Sequence, residues 1–140
     1  MALIEGGFGM AVRLSLLILG LLYILNGAAM LLAPGVWFTM VPGVVDTGPF
    51  NAHFVYDIGM AYIASGFCLG YAVRPGPTAA IVASAGAIWP VLHALVHVSG
   101  WVMNGFPRDS QVAFSEVVGV VALSVLGAVL AWRRLRDETR

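Results

Sequence analysis

No lysine occurs anywhere in the 140 residues; all seven cations are arginine. Charged side chains make up only 10% of the chain, against about 25% in soluble domains. The formal net charge is zero, so the basic footprint of a nucleic-acid-binding protein is absent. A single cysteine, Cys68, excludes an internal disulfide and a C-x-x-C redox pair. Neither an internal repeat nor a low-complexity segment is present. What remains is 60% hydrophobic and gathered into long runs. That composition marks an integral membrane protein, and the length suits one domain spanning 1–140.

Four apolar runs are long enough to cross a hydrocarbon core of about 30 Å. The first covers about 12–33 and stops at Pro34-Gly35. It is too long for a signal peptide, and Arg13 is its only nearby cation. A loop follows with Trp37 and Phe38 as interfacial aromatics and Pro42-Gly43 and Gly48-Pro49 as breakers. The second run covers about 51–73 and ends at the turn Arg74-Pro75-Gly76-Pro77. The third, about 78–103, contains Pro90, which should free the Gly86 carbonyl and bend the helix. The fourth, about 110–132, starts at a possible Ser110 cap and ends in an arginine-rich tail. Short turns between runs predict an all-α, four-helix antiparallel up-down transmembrane bundle.

Arginine placement sets the orientation. Arg133, Arg134, Arg136 and Arg140 lie in the tail, Arg74 in the second turn and Arg13 beside the first run. The positive-inside rule then puts both termini in the cytoplasm and the first and third loops outside. Arg13 is expected to snorkel to the inner surface, and the tail to touch anionic lipid.

Within this frame the polar residues fall at one depth. Trp89-Pro90-Val91-Leu92-His93-Ala94-Leu95-Val96-His97 places two imidazoles on one helix face. At 1.5 Å per residue they sit roughly 22–30 Å along the third run, in the outer leaflet. His53 and Asp57 occupy the first turns of the second run, and Glu116 lies about 9 Å down the fourth. Asn26 shares that outer half. H-x-x-x-D facing H-x-x-x-H offers three nitrogens and one oxygen from adjacent antiparallel helices. Such a set suits a transition metal (Zn, Fe or Cu) better than Ca²⁺ or Mg²⁺. His53, Asp57, His93 and His97 are therefore the expected metal ligands. Glu116 is the candidate catalytic base beside a metal-bound water, or a fifth ligand.

Blander readings stand beside this one. Polar groups in membrane bundles often glue helices by hydrogen bonds. Haem is a rival cofactor, held between His53 and one histidine of the third run, though it leaves the other histidine and Asp57 unused. Gly27-Ala28-Ala29, Gly59, Ser65, Gly66 and Gly70 mark close helix contacts. Tyr56 and Tyr62 read as packing, Trp89 as lipid-facing or core, and Cys68 as inert.

The layout of four short spans, the Pro-Gly break after the first, and Gly-Pro-Phe-Asn-x-His-Phe-x-x-Asp opening the second resemble small bacterial inner-membrane proteins of DoxX-like layout. The motif likeness covers about residues 48–66 and 89–97. It implies a possible link to quinone-coupled oxidoreduction and carries over no functional residue. Two functions follow as expectations. One is a metal-dependent membrane oxidoreductase or hydrolase acting on a small lipid-soluble or periplasmic molecule. The other is a non-catalytic haem- or metal-binding protein, forming a homo-oligomer or a subunit of a larger membrane complex.

Overall fold

Leucine, isoleucine and alanine dominate the N-terminal run, and straight-chain apolar residues favour an uninterrupted helix. The computed structural model, which describes residues 2–139 with side chains from residue 9 onward, shows helix α1 at Ala2–Leu32. Ala33 leaves the helical region because it precedes Pro34. Pro34 then starts a short helix, α2, at Pro34–Met40. The loop that follows holds a 3₁₀ turn, Val44–Thr47, between Gly43 and Gly48, both at positive φ. Helix α3 (Ala52–Gly70) is capped by Asn51, whose side chain accepts from the backbone N–H groups of His53 and Phe54.

Helix α4 (Pro77–Asn104) is interrupted at Ala87, three residues before the fully buried Pro90. Proline has no N–H to donate to the preceding turn. The Ala87 N–H is shared between the Ala83 and Ser84 carbonyls at this break. Helix α5 (Ser110–Glu138) is capped by Asp109 rather than by Ser110 as expected. The Asp109 carboxylate accepts from the backbone N–H groups of Gln111 and Val112 at 2.8 and 3.0 Å. Residues Ser115–Ala122 are wound as a π-helix, with i→i+5 spacing, before α-geometry resumes.

No strand occurs among the described residues. Three of the helices are long and apolar enough to cross a membrane: Gly9–Leu32, Pro77–Asn104 and Ser110–Glu138. Helix α3, with polar His53 and Asp57 in its first turns, is not among them. Large apolar side chains cover the outside: Leu25, Phe67 and Val102 are 66%, 66% and 82% exposed. A water-soluble monomer rarely presents so much apolar surface.

Small residues decide how the helices meet. Gly20 faces Gly66 and Gly70, while Gly27 faces Gly59, so α1 and α3 run antiparallel at backbone contact. Gly86 approaches Ser65, Cys68 and Leu69 in the same manner. These are the contacts that the small-residue runs predicted. On α5, Gly127 receives Leu19 of α1, and Ala131 accepts from Ser84 of α4.

One end of the assembly is held by ions. Arg134, only 3% exposed, donates to Glu138 and to the Arg74 carbonyl, the latter at 3.1 Å. Arg13 joins the same Glu138 at 3.5 Å. Thus Arg13 is engaged in a pair rather than simply reaching for the surface, and Arg134 is a buried clasp among α1, α5 and the α3–α4 turn. The tail composition alone suggested a solvated orientation signal, because clustering hides which arginine turns inward.

Candidate functional site: a polar-ended cavity

At the opposite end the helices part. A cavity of about 750 Å³ opens among α1, α3, α4 and α5, roofed by the loop after α2. Its volume falls within the range of about 300–1,000 Å³ usual for small-molecule sites. The walls include Leu22, Val55, Ile58, Val96 and Leu123, and the roof includes Pro42, Gly43 and Thr47. Gly43, at φ +86°, lies against Val112, and a Cβ there would stand 2.8 Å from that side chain. The turn therefore needs glycine both for its conformation and for its fit against α5.

The polar groups gather on α4 and α5. His93 and His97 both line the cavity, with ring centroids 5.0 Å apart and edge-to-face. His97 Nδ1 stands 3.5 Å from Glu116 Oε1. The Trp101 indole N–H donates to the other oxygen, Oε2. Their side chains keep 24% and 21% exposure, so the pair is neither sealed nor free in bulk solvent. Behind them, Trp89 stacks on His93 with centroids 5.1 Å apart and planes within 7°. Tyr62 packs edge-on against Trp89 at 4.8 Å and against Tyr23 at 5.3 Å. An aromatic column thus buttresses the imidazoles from inside the protein, and Trp89 belongs to the interior rather than to the lipid face.

Across the cavity, Asn26 Oδ1 accepts from the Trp37 indole at 3.0 Å. That bond ties α2 and the roof to α1. Glu116 itself sits in the π-wound stretch of α5, together with Gly119. A Cβ built on Gly119 would meet nothing within 4 Å, so this wall is left open by the absence of a side chain.

His53 and Asp57 lie elsewhere. They bridge each other at 3.2 Å on the outer face of α3, with side chains 84% and 55% exposed. Neither lines the cavity. The expected ligand set His53, Asp57, His93 and His97 is therefore divided between two surfaces. Among the described residues no group of three or more His, Cys, Asp or Glu side chains is arranged to hold a metal ion. The four expected ligands therefore do not converge on one point.

The reason lies in helix phase. The inward stripe of α3 is Val55, Gly59, Tyr62, Gly66 and Leu69. His53 and Asp57 are each two residues from a member of that stripe, hence about 200° around the helix. Depth was readable from hydropathy; the face was not read. Spacing of the small residues Gly59 and Gly66 was the signal that could have given it, because these must face a neighbouring backbone. Trp101, Trp37 and the π-wound turn were also missed; an indole's partner and a local change in helix winding leave no mark in one sequence.

Comparison with models of protein families, with curated proteins and with solved structures finds no match for this chain.

Proposed function

We propose that this chain is a multi-pass protein of a bacterial inner membrane, built as a four-helix antiparallel bundle, that binds a small lipid-soluble molecule in its cavity. In this reading α3 is the fourth span, both termini are cytoplasmic, and the cavity faces the outer leaflet. Antiparallel contacts between α1 and α3 support the bundle, as do the exposed apolar residues of the outer surface. The arginines Arg13, Arg74 and Arg134 at the end opposite the cavity support the orientation.

One observation carries the binding function: an apolar cavity of about 750 Å³ with a carboxylate–imidazole pair, Glu116 and His97, at its edge. Apolar walls with a few convergent polar groups are the usual form of a small-molecule site. Glu116 holds the ligand's polar head in this reading and activates no metal-bound water. The two imidazoles supply further donors or acceptors, and Trp101 fixes the carboxylate's direction.

Native mass spectrometry of the full chain released from lipid nanodiscs tests the reading. A small molecule of discrete mass should accompany the wild-type protein. Gly119→Phe, which fills the open wall, should remove it. Equal occupancy of both proteins, or of neither, would refute the reading.

A further inference from the structure

Beside its two imidazoles and its tyrosine hydroxyls, the cavity holds one acid, Glu116, and no arginine or lysine among the described residues. Lysine is absent from the whole chain. The buried arginine clasp lies at the far end, on Arg13, Arg74 and Arg134.

Aromatic side chains share the cavity with the carboxylate. Tyr23, Trp37, Phe38, Phe54 and Tyr62 all line the cavity. An aromatic face presents negative potential and attracts a cation lying within about 6 Å of it. A carboxylate does the same over a longer range, and both effects strengthen where water is scarce. Trp101 engages one carboxylate oxygen, Oε2, and Oε1 stands toward His97. An anionic ligand would meet Glu116 and the ring faces with the same sign. A purely apolar ligand would dry the site while giving Glu116 no counter-charge beyond His97.

Resting on the cavity reading above, we propose that the ligand is a lipophilic cation, an amine or onium compound, with its charge between Glu116 and the aromatic walls. The apolar substituents then occupy the space along Leu22, Val55, Ile58 and Leu123. A cation of this kind partitions into the outer leaflet, from which the cavity is reached.

Tetraphenylphosphonium and tetraphenylborate, nearly the same shape with opposite charge, separate charge from fit, and the smaller triphenylphosphine oxide serves as a neutral probe. Binding to the full chain in nanodiscs of uncharged phospholipid is measured by isothermal titration, with empty nanodiscs subtracted. Tetraphenylphosphonium should bind saturably and at least tenfold more tightly than either other probe. Glu116→Gln should weaken it at least tenfold. Gly119→Leu should weaken every probe that binds. Equal affinity for cation and neutral probe, or preference for the anion, overturns the charge assignment while leaving the cavity reading intact. Full cation affinity in Glu116→Gln does the same. No saturable binding of any probe, or binding that Gly119→Leu leaves untouched, overturns the cavity reading and the charge assignment with it. Should Glu116→Gln fail to fold, the ranking of the three probes on the wild-type chain decides.

Discussion

Gly20 and Gly66 face each other so closely that a Cβ added to either would stand 2.5 Å from the other's carbonyl oxygen. Neither backbone can yield without moving its helix. Gly66→Ala should therefore cost about 1–3 kcal/mol, as overpacking does in well-packed interiors. Gly119→Ala, into open space, should be neutral or stabilise by up to about 1 kcal/mol through helix propensity. Thermal melting of both variants in one detergent checks the contrast, and equal melting temperatures would count against backbone contact between α1 and α3.

Arg134→Met should destabilise by about 1.5–3 kcal/mol, the worth of hydrogen bonds to charged groups. It removes the bonds to Glu138 and to the Arg74 carbonyl at a nearly buried position. Arg133→Met, at the exposed neighbouring position, should stay within about 0.5 kcal/mol. Chemical denaturation of the two variants measures the difference.

Trp37→Phe keeps a ring in place and leaves Asn26 Oδ1 without its donor. A loss of about 0.5–1.5 kcal/mol is expected. More telling is its location: amide hydrogen exchange over residues 34–50 should quicken while the α1–α3 seam stays protected. Uniform acceleration across the chain would show that this bond does not anchor the roof.

His53→Ala and Asp57→Ala should each change stability by less than about 1 kcal/mol, because the pair they break is exposed. Occupancy of the cavity should not respond to either. His97→Ala should reduce that occupancy, since His97 borders Glu116. A shared loss of bound metal on changing any one of His53, Asp57, His93 or His97 would instead reunite the four residues in one site.

Orientation is checked by cysteine labelling in a Cys68→Ala background. Asp46→Cys should react with an impermeant maleimide added outside intact cells, and Thr139→Cys only after the membrane is opened. Both positions are exposed in the fold. The reverse pattern would invert the bundle.

Much of the architecture is legible from composition and punctuation. Pro34, Pro75-Gly76 and Gly105 end helices within a few residues of the expected breaks, since each removes a donor or demands an unusual φ. The approach of Glu116 to His97 was also foreseeable, because two antiparallel helices bring equal depths together. Angular position was harder. His53 and Asp57 lie on the face of α3 opposite its buried stripe, a difference of phase that hydropathy does not record. Arg134 and Arg133 are adjacent in a basic tail, yet one is buried and the other exposed. Only the position of Arg74 and Glu138 in space distinguishes them.

The ion-paired end makes the bundle a lever. Arg134 joins α5 to the α3–α4 turn, and Arg13 reaches Glu138 from α1, so any tilt of α5 would have its pivot at this pinned end. Eighteen residues separate Arg134 from Glu116, an arm of about 27 Å at helical rise. A tilt of about 5° at the pivot then displaces the Glu116 wall by about 2 Å over that arm. Motion too small to disturb the clasp is enough to change the bore of the cavity at its mouth.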